Sequence, residues 1–115
     1  MTIPQSDGGR GQSKTRGVIA GGRYNPAKTN VMNFITMSTL GNAADFGDLQ
    51  AAAYMAGKST ASSSLRMVMT MPNTPSFQAG FDFIEIATTG NAQDFGDASE
   101  AMQSNGANSN GHGGL

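Results

Sequence analysis

The residues best suited to chemistry lie in an eight-residue phrase that occurs twice, as GNAADFGD from Gly41 to Asp48 and as GNAQDFGD from Gly90 to Asp97. Each copy carries amide and carboxylate oxygens, which are the ligand atoms that calcium prefers. The spacing matches no EF-hand loop, because the glycine that such a loop requires is in a different place. The candidates for a calcium site are Asn42, Asp45, Asp48, Asn91, Asp94 and Asp97.

A structural role is the favoured interpretation of the repeated phrase. Gly and Asn adopt turn conformations at low cost, and Asp side chains accept hydrogen bonds from nearby backbone amides. The phenylalanine supplies an apolar anchor, and the glycine after it lets the backbone pass close to the ring. We therefore expect turns that are pinned to a sheet and built by Gly41, Asn42, Asp45, Phe46, Gly90, Asn91, Asp94 and Phe95.

Catalytic motifs are not recognisable in this sequence. Asp-Phe-Gly occurs in protein kinases, but there it needs a Gly-rich loop, a lysine and a catalytic Asp in a chain much longer than 115 residues. The glycines of DGGRGQ and AGGR lack the Lys-Ser/Thr of a phosphate-binding Walker motif. The single histidine, His112, lies in a Gly-rich tail, without the rigid support that a catalytic triad requires. We expect a non-enzymatic protein without a cofactor.

The phrase ends a longer repeat that predicts β-strands. NFITMST before the first copy aligns with DFIEIAT before the second, and further upstream RGVIAGG aligns with RMVMTMP. Apolar and polar residues alternate in these segments, and β-branched and aromatic residues are frequent, which indicates strands. The residues from Asp48 to Ser59 permit a short helix, although their place after a turn favours a third strand. The expected core residues are Phe34, Ile35, Phe46, Phe83, Ile84 and Phe95.

These patterns predict an all-β protein with two antiparallel units and extended Gly/Asn-rich termini. We place an N-terminal arm at residues 1–14, the first unit at 15–64, the second unit at 65–104 and a C-terminal tail at 105–115. A period of about 50 residues is typical of propeller blades and related arrays.

The combined pattern of Phe-Ile-x-Ile/Met-x-Thr-x-Gly-Asn-Ala-x-Asp-Phe-Gly-Asp with TRGVIAGG, Thr15 to Gly22, resembles the kelch-like repeats of bacteriophage tail and virion proteins, especially those of marine and cyanobacterial phages. The resemblance covers roughly residues 15–97, and the second unit departs from it at Met71 and Pro72. Two units are fewer than the 4–8 blades of a closed propeller. We expect completion by a ring of copies, by a larger neighbour or by swapped terminal strands.

Three methionines at strand spacing, Met67, Met69 and Met71, form a one-sided stripe. A place in the sheet core is the first interpretation. The second is a subunit interface, because methionine adapts to irregular surfaces. A small chain without cysteine also favours stabilisation by a partner.

The net charge and the lengths of the apolar stretches limit which partners and locations the sequence predicts. The net charge of −1 provides no electrostatic footprint for nucleic acid, and no apolar stretch reaches membrane-spanning length. The first residues lack the apolar core of a secretory signal peptide. With the resemblance, this implies a virion structural protein, tail-associated or capsid-decorating, that is assembled in the host cytoplasm. The expected partners are copies of itself, other virion proteins and, as a further candidate, a host surface glycan. The alternatives are a receptor- or glycan-binding tail fibre module and a small carbohydrate-binding accessory domain.

Overall fold

The computed structural model describes residues 6, 8–24, 27–52, 60–70, 78–102 and 107–108. These residues form two four-stranded antiparallel sheets, each with its strands in chain order. The all-β prediction is therefore confirmed. The strands are β1 (Gly9–Gln12), β2 (Arg16–Tyr24), β3 (Ala27–Thr36), β4 (Ala44–Asp48), β5 (Thr60–Ser62), β6 (Arg66–Thr70), β7 (Gln78–Glu85) and β8 (Gln93–Met102).

Each sheet begins with a strand and a serine turn that lie upstream of the repeat recognised in the sequence. The backbone N–H of Ser13 donates to the Arg16 carbonyl at 2.9 Å, and Ser63 does the same to Arg66 at 2.8 Å. In both turns the serine Oγ accepts a hydrogen bond from the arginine N–H at 3.1 Å. The first strand, β1, thus lies inside the segment 1–14 that the sequence predicts to be an arm, and β5 precedes residue 65. In the structure, the first unit is therefore the sheet β1–β4 and the second unit is the sheet β5–β8.

The second half of the repeated phrase is a bulged strand and not a turn. Met32 pairs with Gly47 and Asn33 pairs with Asp45, which leaves Phe46 as an extra residue in β4. The following Gly47 has φ 145°, a backbone conformation that favours glycine. A β-bulge of this kind kinks the strand and re-aims the extra side chain.

The second unit contains the same bulge. Phe81 pairs with Gly96 and Asp82 pairs with Asp94, so that Phe95 is the extra residue of β8, and Gly96 has φ 138°. The expectation that Asp45 and Asp94 build a turn is therefore wrong, since both lie in strands. The reason is that the Asp-Phe-Gly residues of each copy form a β-bulge, which bends the strand.

The core lies between the two sheets. The first unit contributes the face of its sheet that carries Val18, Ala20 and Met32, all nearly or completely buried. The second unit contributes the face that carries Met67, Met69, Ile84 and Ile86. Adjacent residues of a strand point to opposite faces, so Phe34 and Ile35 lie on opposite faces of the first sheet, as Phe83 and Ile84 do in the second. The Phe34 face of the first sheet packs on the Ile84 face of the second, so that non-equivalent faces of the two repeats are in contact.

The described part of the chain contains no helix that is long and apolar enough to cross a membrane.

Candidate functional site

The two copies of the phrase meet at one interface, which we call the inter-unit interface. It is formed by the edge of β4 from Phe46 to Asp48 and by the loop from Gly90 to Ala92. The N–H groups of Gly90 and Ala92 donate to the carbonyls of Phe46 and Asp48, both at 2.8 Å. The Asp48 N–H donates to Asn91 Oδ1 at 3.0 Å. The second half of one copy of the phrase therefore binds the first half of the other.

The position after Phe46 requires a glycine, because the backbone of the second unit passes close to it. A Cβ on Gly47 would collide with the carbonyl group of Gly90. Any other residue would thus push the β4 edge and the Gly90 loop apart, in addition to the strain of its positive φ.

An arginine and two phenylalanines pack together in the first unit. The Arg16 guanidinium carbon lies 4.3 Å from the Phe34 ring centre, and the rings of Phe34 and Phe46 meet edge to face at 6.0 Å. Both are favourable geometries, for the cation over a ring and for the ring pair. The packing holds the bulged phenylalanine in one orientation.

The same cluster recurs in the second unit. Arg66 lies 4.6 Å from the Phe83 ring centre, and Phe83 meets the Phe95 ring edge to face at 5.9 Å. In addition, Arg66 donates through Nε and Nη2 to Glu85 Oε1 at 2.9 and 2.7 Å. This ion pair is about half exposed, so it adds little stability. The arginines were missed as functional residues, although one precedes each apolar run of the repeat.

Arg16 also connects the two units directly. Its Nη1 donates to the carbonyls of Ile86 and Ala87 at 3.0 and 3.1 Å. These carbonyls belong to the turn that directly follows β7, so a residue of β2 fixes the position of the neighbouring sheet. Hydrogen bonds from a charged donor are stronger than those between neutral groups.

A buried carboxylate lies behind the interface. Asp82 is 4% exposed and accepts a hydrogen bond from the Gln50 N–H at 3.2 Å. Burial raises the pKa of Asp82 above its ordinary value of 3.8; the Gln50 hydrogen bond partly opposes this and the nearby charge of Asp94 adds to it. The folded state thus disfavours the ionised carboxylate. Its contribution to stability is most favourable below the ordinary pKa and is lost as pH rises through the raised one.

A cleft of about 370 Å³ opens beside the interface. Its lining combines the aromatic residues Phe46 and Phe83 with polar groups of Arg66, Glu85 and Gln93. This mixture suits a ligand with an apolar face and several hydroxyl groups.

Equivalent apolar residues of the two units differ sharply in exposure on one face of the sheets. Ile84 and Ile86 are 3% and 0% exposed, whereas their counterparts 49 positions earlier, Ile35 and Met37, are 43% and 46% exposed. The prediction that Ile35 is a core residue is wrong. This face of the second sheet is covered by the first unit, whereas the part of the same face of the first sheet that carries Ile35 and Met37 is exposed.

The opposite face shows the reverse asymmetry. Phe46 is 2% exposed and Phe95 is 54% exposed. The prediction of a core position is therefore right for Phe46 and wrong for Phe95. Phe46 faces the second unit, whereas Phe95 lies on the outer surface of the second sheet.

The methionine stripe lies in the core. Met67 and Met69 are completely buried between the sheets of one chain, and a Cβ on Gly11 of β1 would collide with the Met67 side chain. Their interpretation as a subunit interface is therefore wrong, because the first unit already covers them. Met71 lies outside the described residues.

Two of the calcium candidates accept hydrogen bonds from backbone amides through their side chains. Asn91 Oδ1 accepts from the Asp48 N–H, and Asp94 Oδ1 accepts from the Gly96 N–H at 3.2 Å. In the ranges that the structure describes, no three His, Cys, Asp or Glu side chains converge in a group that could hold a metal. His112 lies outside these ranges.

The chain matches no family model and no curated protein sequence.

Proposed function

We propose that this chain is a non-enzymatic structural protein of a bacteriophage particle, tail-associated or capsid-decorating, which acts by homo-oligomeric assembly. The observation that carries the proposal is the exposure of Ile35, Met37 and Phe95 at positions whose counterparts are buried between the two units. Ile35 and Met37 lie on one outer face of the stack and Phe95 lies on the other, so that each face exposes apolar side chains at positions that the repeat buries elsewhere.

The size of the chain supports the same conclusion. A domain this small buries a limited fraction of its surface and often depends on a partner, a metal or disulfides. The sequence has no cysteine, so that disulfides cannot contribute. The assignment to a phage particle rests on the resemblance of the repeat to kelch-like virion proteins, and other virion proteins are the further partners that it implies.

Two measurements test the proposal. Size-exclusion chromatography with light scattering, over a series of protein concentrations, should give a defined oligomer; a folded monomer throughout would refute assembly. Mass spectrometry of purified particles from a host infected with the phage that encodes the chain should find it in stoichiometric amount. Its absence from such particles would refute the virion role.

Glycan binding by a tail fibre module or a carbohydrate-binding accessory domain is the second candidate, and the cleft beside the inter-unit interface favours it. Phe83 offers an apolar ring there, and Arg66, Glu85 and Gln93 offer hydrogen-bonding groups. A glycan array should show binding that Gln93→Ala weakens while Gln12→Ala, in β1, does not. An array without a reproducible ligand would reject this candidate.

A further inference from the structure

We propose that a second copy of this chain docks head to tail, so that the outer face of its first sheet packs on the outer face of the second sheet of its neighbour. We call these two surfaces the front face, with Ile35, Met37 and the loop residues Gly41 and Asn42, and the back face, with Phe83 and the β8 edge from Phe95 to Asp97. The inference rests on the proposed homo-oligomeric function and specifies its contact.

The inter-unit interface is the template for this contact. Within one chain, a surface made of Phe34, Phe46 and the β4 edge receives a surface made of Ile84, Ile86 and the loop after β7. The back face is the repeat counterpart of the first surface, and the front face is the counterpart of the second. Each copy therefore exposes both halves of an interface that it already forms internally.

The back face has the shape required of the receiving surface. Phe83 and Phe95 pack edge to face at 5.9 Å, nearly as Phe34 and Phe46 do at 6.0 Å. A Cβ on Gly96 would meet no atom of the described residues within 4 Å. The place that the Gly90 carbonyl occupies beside Gly47 is thus open beside Gly96.

Two of the hydrogen bonds of the template can also be repeated between copies. Strand β8 is an edge strand of its sheet, as β4 is of its own. By the repeat, the Gly41 N–H of one copy would donate to the Phe95 carbonyl of the next. Asn42 Oδ1 would accept from the Asp97 N–H, as Asn91 accepts from Asp48.

The front face supplies the apolar side chains. Ile35 and Met37 are 43% and 46% exposed, and Ile84 and Ile86, at the equivalent positions, lose almost all exposure when a neighbour covers them. Not every exposed apolar residue belongs to the contact. Leu65 is 68% exposed, but its counterpart Thr15 remains exposed beside the second unit, so Leu65 lies outside the contact.

Since the two faces differ, the contact is heterologous, and the assembly grows until it closes as a ring or continues as a filament. Two units per chain make closure simple. Rings of two, three or four copies would contain four, six or eight units, within the range of known propellers of about 4–8 blades.

Two charged variants and their mixture test the contact. Ile35→Asp blocks the front face and Phe95→Asp blocks the back face, and Leu65→Asp is the matched control at an exposed leucine outside both. Circular dichroism and thermal melts confirm folding, and Met37→Asp and Phe95→Lys serve as second variants of each face. By light scattering, Ile35→Asp and Phe95→Asp should each be monomeric, while Leu65→Asp should keep the wild-type mass.

An equimolar mixture of Ile35→Asp and Phe95→Asp tests whether the front face of one copy binds the back face of another. The intact back face of Ile35→Asp can bind the intact front face of Phe95→Asp, so the mixture should form a heterodimer with the mass of two chains and no larger species. If the wild type oligomerises but the mixture stays monomeric, the head-to-tail contact is overturned and the proposed function is not. The same holds if the wild type oligomerises and only one of the two variants is monomeric. A wild type that is monomeric at every concentration would overturn the proposed function as well.

Discussion

Truncation of the two repeated phenylalanines should have unequal effects on stability, although their sequence surroundings are nearly identical. Phe46 is 2% exposed and belongs to the core between the sheets, whereas Phe95 is 54% exposed on the outer surface. Sequence alone would assign a similar cost to Phe46→Ala and Phe95→Ala. The structure assigns the large cost to Phe46 only.

The magnitudes follow from burial. Phe46→Ala removes a buried ring and leaves a cavity, which costs about 3–5 kcal/mol of unfolding free energy. Phe95→Ala removes a ring that is about half buried, which costs about 1 kcal/mol of transfer free energy, and leaves no closed cavity. Both variants lose an edge-to-face ring pair of similar geometry. The ring pairs add about 0.5–1.5 kcal/mol each and largely cancel in the comparison. We expect a difference of about 2–4 kcal/mol.

The assay is urea unfolding followed by circular dichroism, with the free energy obtained by linear extrapolation. Both substitutions are made in the Ile35→Asp background, so that assembly through the back face does not add to the cost of Phe95→Ala. Equal costs for the two variants would refute the reasoning, because they would place Phe95 in a buried environment like that of Phe46. A cost for Phe46→Ala below about 1 kcal/mol would refute its role as an anchor.

Four further substitutions test other parts of the structure. Gly47→Ala and Gly96→Ala should each lose about 1–3 kcal/mol from the strain of a positive φ, and Gly47→Ala should lose more because its Cβ collides with Gly90; urea unfolding should show equal losses if this collision is absent. Arg16→Ala should lose about 1–3 kcal/mol with its two hydrogen bonds to the second unit, and a loss near zero in the same assay would show that they do not hold the units together. Asp82→Asn should become more stable relative to wild type as pH rises above 3.8, since it removes the ionisation that burial opposes. Melts at a series of pH values measure this, and a difference that is constant or falls with pH would contradict it.

The strands could be predicted because their signals are local. The alternating residues of NFITMST and DFIEIAT lie in β3 and β7 or directly after them, and the apolar residues that follow Arg16 and Arg66 lie in β2 and, as far as Thr70, in β6. The bulge could not be predicted, because the sequence Asp-Phe-Gly is as compatible with a turn as with a bulged strand. Only the pairing of Met32 with Gly47 and of Asn33 with Asp45 shows that Phe46 is an extra residue.

The candidate site was predicted only in part. The repeated phrase was recognised as the central feature, and Phe46 as its anchor. The arginine contacts were missed because Arg16 is far in sequence from Ile86 and Ala87, which it joins across the units. The buried Asp82 was missed because its burial depends on the first unit covering that face of the second sheet.

The repeat, the strand periodicity and the all-β class follow from the amino-acid order, since each depends on neighbouring residues. Which copy of each residue is buried follows only from the packing of the two sheets. GNAADFGD and GNAQDFGD differ at one position, yet Phe46 is enclosed and Phe95 is exposed. Burial depends on what packs against a residue, and in a stack of two units only one face of each sheet packs against the other unit.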